Sequence, residues 1–154
     1  FEEYIHQIRQ EGDSIGGIVE CTITGVPAGI GEPIFDKLQA QLAFAIMSIN
    51  ACKGFEYGSG FENVALKGSE MYLSNNSRLV SGGIAGGIAD GTPIVFRCVF
   101  KPTASSRKTF ERAYPHPLPK GKGVKQGRHD ACVAVRAVPV VEAMAALVIE
   151  DCLR

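Results

Sequence analysis

The sequence carries no net charge: 16 Lys and Arg balance 16 Asp and Glu. That removes the global attraction that draws a protein to nucleic acid or to an anionic membrane, so any binding has to come from local arrangement. No two cysteines stand two residues apart. The five present, Cys21, Cys52, Cys98, Cys132 and Cys152, are odd in number and widely spread, which gives neither the spacing of a zinc or redox pair nor an even disulfide framework. Reduced thiols in a cytoplasm fit best, and Cys21, Cys98 and Cys152 fall in apolar periodic segments where a free Cys acts as a small hydrophobe. No apolar run approaches the ~20 residues that span a bilayer. The opening "FEEYIHQIRQEG" lacks a signal-peptide core, begins without Met and reads as the last turns of a helix running into Gly12. A soluble, cytoplasmic protein is expected, cut from something longer.

With 154 residues of which 45% are hydrophobic, a single domain can hide ~68–70% of its unfolded surface and so build a true core. From Ile18 to Thr24, Val19, Cys21 and Ile23 alternate with Glu20, Thr22 and Thr24, the period of a half-buried strand. "GVPAGIGEP" then punctuates the chain. Pro33 stands where a first helical residue is favoured, and Phe35, Leu38, Leu42, Ile46 and Ile49 recur at threes and fours, predicting an amphipathic helix over residues 33 to 49. Residues 52 to 66 read as short strand and turn, and "SEMYLSNNSRLV" as a mobile loop. Alternation returns at Ile94, Phe96, Cys98 and Phe100, the clearest strand of the chain. Residues 104 to 127 gather Arg107, Lys108, Arg112, Lys120, Lys122 and Lys125 against the single acid Glu111 and are expected to form an exposed basic loop. Pro139 should open a last helix reaching Leu153, apolar almost all round and so sandwiched between layers. The order of elements suggests an α+β fold with helices on one side of a sheet.

Three constellations could carry chemistry. "SGGIAGGIADG", residues 81 to 91, has five glycines in eleven positions. Glycine admits positive φ and lets a flat ligand approach the backbone, although a pair of tight turns or bulges reads the same way. It matches neither a P-loop nor a dinucleotide fingerprint. "FKPTASS", residues 100 to 106, offers one ammonium and the hydroxyls of Thr103, Ser105 and Ser106, a donor set suited to a phosphate monoester; a solvated turn stiffened by Pro102 is the plainer alternative. "GRHDAC" sets Arg128, His129 and Asp130 side by side, either as one wall of a site or with Asp130 capping its loop and pairing with Arg128. All three flank or follow one strand and can converge on one cleft.

"GDSIGGIVECTITGVPAGIGEPIFDKLQAQLAFAIMSINACKGFEYGSGF", "SGGIAGGIADGTPIVFRCVFKPTASS" and "GRHDACVAVRAVPVVEAMAALVIED" resemble successive blocks of the chorismate synthase family, in order and over almost the whole chain. The resemblance covers the C-terminal part of that family's chain, so residues 1–154 are expected to be one domain of a longer protein. It implies a layered β-α-β sandwich of α+β class, with helices packed against an antiparallel sheet. It also implies a carbon–oxygen lyase of the shikimate pathway, in aromatic amino acid biosynthesis. Such enzymes eliminate phosphate from 5-enolpyruvylshikimate 3-phosphate in a 1,4-anti sense to give chorismate. Reduced FMN is required, with NADP as an associated nucleotide, and flavin lends charge transiently to the allylic system as phosphate leaves. Family members are homotetramers, with no membrane or nucleic-acid partner.

By the family pattern, flavin contacts fall on Asn50 and Ala51 of "SINACKG", on Gly86 of "GGIAGG", on Lys101, Pro102, Thr103, Ala104 and Ser105, and on Arg128. Asp130 matches the family's catalytic aspartate, in the proton relay near the flavin, and Arg136 is a candidate for binding substrate. No metal is implied. The family's two histidine motifs, of Ser-His-Gly and Gly-His-Ala type, do not occur here, so this piece is expected to be inactive alone. The alternative is a stand-alone anion-binding or nucleic-acid-binding module that uses the basic stretch 107 to 128. Against it, that stretch offers only Phe110 and Tyr114 as stacking platforms.

Overall fold

A computed structural model describes residues 1–73, 80–109 and 130–154. Helix α1 (Glu2–Gln10) leads to strand β1 (Gly17–Ile23), helix α2 (Leu38–Met47) and strand β2 (Cys52–Tyr57). A 3-10 turn (Gly60–Ala65), helix α3 (Gly68–Leu73) and the two-residue strands β3 (Ile84–Ala85) and β4 (Ile88–Ala89) follow; strand β5 (Ile94–Phe100) and helix α4 (Ala134–Cys152) complete the set.

β5 is the centre of an antiparallel sheet ordered β1-β5-β2. Its alternation decides the layers. Ile94, Phe96, Cys98 and Phe100 are buried, whereas Arg97 and Val99 turn to the opposite face, as a period of two requires. Cys98 is opposed by Val19 on one side and Phe55 on the other. Against this inner face lie Leu38, Leu42 and Ile46 of α2 and Ala137, Val141 and Ala145 of α4. Burial of each large β5 side chain is worth ~1.5–3 kcal/mol. The fold is therefore α+β, with helices on one face of an antiparallel sheet.

Several boundaries differ from those expected. α2 starts at Leu38 rather than Pro33, and Phe35 is 85% exposed. The preceding turn sets Ile34 at φ 65° and Gly31 at φ 118°, which no helix tolerates, and the N–H of Leu38 donates instead to the carbonyl of Gly87 at 2.8 Å. A tertiary contact with the β3–β4 hairpin thus fixes where the helix begins. Within the expected loop from Ser69 to Val80, residues through Leu73 belong to α3. The Lys67 N–H donates to Glu70 Oε2 at 2.8 Å, half of a capping box.

α4 begins at Ala134, five residues before Pro139, which sits inside it. Proline removes the donor that the carbonyl of Val135 would have received, but Val135 is 52% exposed, open to water. Ala134 and Ala137 are buried, so packing extends the helix backwards past its proline. Nor is α4 covered on both sides within the described residues: Val135, Val138, Val140 and Leu147 are exposed. The expected basic loop also starts differently, because Ser106 is buried, at 2% exposure. Residues 110 to 127 of that loop lie outside the described residues.

Candidate functional site

The site grows from the end of β5. After Phe100 the N–H of Lys101 donates to the carbonyl of Ala51 at 3.0 Å, and Ala51 takes a left-handed φ of 70° to turn the chain from α2 into β2. Asn50–Ala51 and Lys101 are thereby brought together although far apart in sequence. Lys101 and Pro102 are exposed and Thr103 is half-buried. The Oγ1 of Thr103 donates to the backbone carbonyl of Asp130 at 3.2 Å, so the turn after β5 and the segment before α4 form one rim.

On that rim Asp130 and Arg136 face each other. Arg136 Nη1 donates to Asp130 Oδ2 at 2.9 Å. The plainer expectation for Asp130 was a pair with Arg128, which falls outside what the structure describes; among the described residues its partner is Arg136, because α4 starts early enough to place that residue in its first turn. Arg128 and His129 lie outside the described residues. α1 supplies the far wall of a cleft of about 710 Å³ lined by His6 and Arg9 opposite Asp130, Cys132 and Arg136.

Gly86 is not brought to this rim. It sits in the β3–β4 turn at φ 64°, with nothing within 4 Å of where a Cβ would stand, and lines a separate hollow of about 690 Å³ beside Gln39, Ala43 and Tyr57. The hairpin meets α2 at its first residue, whereas Asn50 follows its last, so the two places lie roughly 15 Å apart, the length of ten helical residues.

A polar clasp supports the rim from behind. Lys108 Nζ reaches Glu11 Oε2 at 3.2 Å and Asp13 Oδ2 at 3.4 Å. These hydrogen bonds, to Glu11 first and then Asp13, hold the Lys108 ammonium above its ordinary pKa. Asp13 is held below the ordinary carboxylate value chiefly by the Ser14 backbone N–H, with Lys108 adding to the effect. Of the five cysteines, Cys132 lines the cleft. Burial pushes Cys98 up to about 12, and burial raises Cys21 and Cys152 as well. All five cysteines are free. No group of side chains suited to a metal occurs among the described residues.

A family model described as chorismate synthase matches residues 1–153. The chain belongs to the chorismate synthase family. It is 49% identical to the chorismate synthase of Christiangramia forsetii, over 97% of this chain and 44% of that one. It is 50% identical to that of Trichormus variabilis, over 97% and 43%. A crystal structure of chorismate synthase superposes with a TM-score of 0.73 at 32% identity, covering 99% of this chain and 41% of that chain. The chain thus spans less than half the length of the curated relatives it matches. None of these chorismate synthase relatives supports the alternative of a nucleic-acid-binding module. Among the described residues no helix is long and apolar enough to cross a membrane.

Proposed function

We propose that residues 1–154 are the C-terminal, FMN-binding portion of a chorismate synthase. The whole protein would eliminate phosphate from 5-enolpyruvylshikimate 3-phosphate to give chorismate, as a cytoplasmic homotetramer. One observation carries the reading. Asn50–Ala51, Lys101–Thr103 and the Asp130–Arg136 pair, scattered through the sequence, meet at one end of β5 in a chain of that family.

The residues fit the flavin nucleotide. Lys101 is exposed and Ser105, four residues on, is half-buried in the same turn; the ammonium and the serine hydroxyl are the kind of point charge and neutral donor that a phosphate monoester takes, while the O–H of Thr103 is committed to the Asp130 carbonyl. The bare Gly86 turn offers backbone to a flat ring without a Cβ in the way, and an extended nucleotide suits two places at opposite ends of α2. Reduced FMN, when bound, supplies electron density to the allylic system as phosphate departs. The chain supplies placement and proton handling. Arg136 occupies Asp130 Oδ2 and keeps the carboxylate oriented, leaving Oδ1 to take or give a proton. The guanidinium, largely exposed, can at the same time meet an anionic group of the substrate.

The test is phosphate release from 5-enolpyruvylshikimate 3-phosphate by the full-length protein with reduced FMN. Asp130→Asn should lower turnover at least ~10²-fold, the usual scale for a positioned acid–base group, with flavin affinity little changed. Unchanged turnover would return Asp130 to a partner of Arg136 and nothing more.

A further inference from the structure

The motif "GDSIGG" has no role in the reading so far, yet residues 13 to 17 run between the two halves of the rim. Asp13 Oδ1 accepts from the Ser14 N–H at 2.8 Å, fixing the start of the segment. Ser14 Oγ donates to the carbonyl of Thr103 at 2.7 Å. The Ile15 N–H donates to the carbonyl of Ala131 at 2.8 Å, and Ile15 pairs with Cys132 in a parallel bridge. A Cβ on Gly16 would collide with the Phe100 carbonyl, and one on Gly17 would stand 2.7 Å from Ala134 Cβ. Extended backbone alternates sides with a period of two. Ser14 and Gly16 therefore meet the turn after β5, while Ile15 and Gly17 meet the segment that carries Asp130. Thr103 closes the circuit through its own hydroxyl to Asp130.

We propose that Ser14 is a positioning residue: acting through Thr103, it sets the phosphate-binding turn at Lys101–Thr103 in register with Asp130 without touching flavin or substrate. Two features favour this over a simple strut. Ser14 bonds Thr103, whose own hydroxyl bonds the Asp130 carbonyl, so loss of its hydroxyl loosens both members of the rim at once. The turn is exposed at Lys101 and Pro102, so little packing would replace the lost bond. The roles of Lys101 and Asp130 rest on the function proposed above; the hydrogen-bonded circuit does not.

The experiment compares full-length wild type, Ser14→Ala and Ser14→Thr. Net loss of one neutral hydrogen bond corresponds to roughly three- to tenfold. Ser14→Ala should lower kcat and weaken FMN by about that factor, with substrate KM little changed, and Ser14→Thr, which keeps the hydroxyl, should recover most of both. Amide exchange at Lys101 and Ile15 should quicken in Ser14→Ala while Phe96 and Cys98 stay as in wild type. If Ser14→Ala lowers Tm but, while folded, keeps wild-type kcat and FMN affinity, Ser14 is only a strut. If Ser14→Ala does not fold, Thr103→Val, which cuts the same circuit at its second bond, must lower kcat; a wild-type kcat there overturns the proposal. Should the wild type itself neither bind FMN nor turn over, the proposed function fails separately. Exchange then decides alone: unchanged rates at Lys101 and Ile15 sink the positioning role, and quickened rates sustain it.

Discussion

Lys101 and Asp130 belong to one rim but should fail differently. If the proposed function holds, removing the ammonium in Lys101→Ala should take a charge-assisted bond from the flavin phosphate and weaken FMN by ~1.5–3 kcal/mol. Excess flavin should then restore most of the rate in a turnover assay, whereas it should do nothing for Asp130→Asn. The clasp behind them sets a pH window. Asp13 is depressed, so its contribution is full above its ordinary value of 3.8 and is lost as pH falls through the lower folded value. Lys108 is raised, so its share is full below 10.5 and disappears as pH climbs past the higher folded value. The Ser14 amide resonance, followed by NMR, should hold steady between these limits and move at each edge. Residue types suited to an anion and a proton were legible in "FKPTASS" and "GRHDAC". The partner of Asp130 was not, because Arg136 reaches it only if α4 begins before its proline. Ser14 was equally hidden, since a serine in an extended segment gives no sign of which distant carbonyl it will meet.

Among elements, β5 was read to its ends from alternation alone. A central strand buried on one face has no other way to place Phe96 and Cys98 inside and Arg97 outside. The consequence is measurable. Phe96→Ala should cost ~3–5 kcal/mol in urea denaturation, and Val99→Ala, on the outer face and 40% exposed, well under 1 kcal/mol. The helices were harder, for opposite reasons. α2 was drawn too long because apolar spacing continues back to Phe35, while the positive φ of Ile34 and the contact with Gly87 are tertiary facts. α4 was drawn too short because proline usually opens a helix, whereas the burial of Ala134 and Ala137 here outweighs one missing donor.

The molecule as a whole presents a contradiction between surface and sequence. Phe44, Val138 and Leu147 are exposed on helices whose composition is that of a buried layer, and exposed apolar surface beyond what a lone domain carries marks an interface. Residues 1–154 alone should therefore self-associate in light scattering, and should release no phosphate from 5-enolpyruvylshikimate 3-phosphate even with excess reduced FMN. Phosphate release above background by residues 1–154 would assign the chemistry to His6 or His129. The family was legible because its blocks recur here in order; the bareness of α4 was not, since an apolar helix looks the same whether its cover lies in this stretch of chain or elsewhere.

The pairing of β1 with β5 also has a history in time. Gly17 meets Phe100, and the Ser14–Thr103 bond joins positions 89 apart in the sequence. Contacts so distant must wait until loop closure has been achieved, which slows folding. During synthesis β1 leaves the ribosome long before its partner exists, and Asp130 follows later still. The rim can therefore assemble only after Asp130 has been synthesised, and until β5 appears β1 lacks its native neighbour and is open to a wrong one.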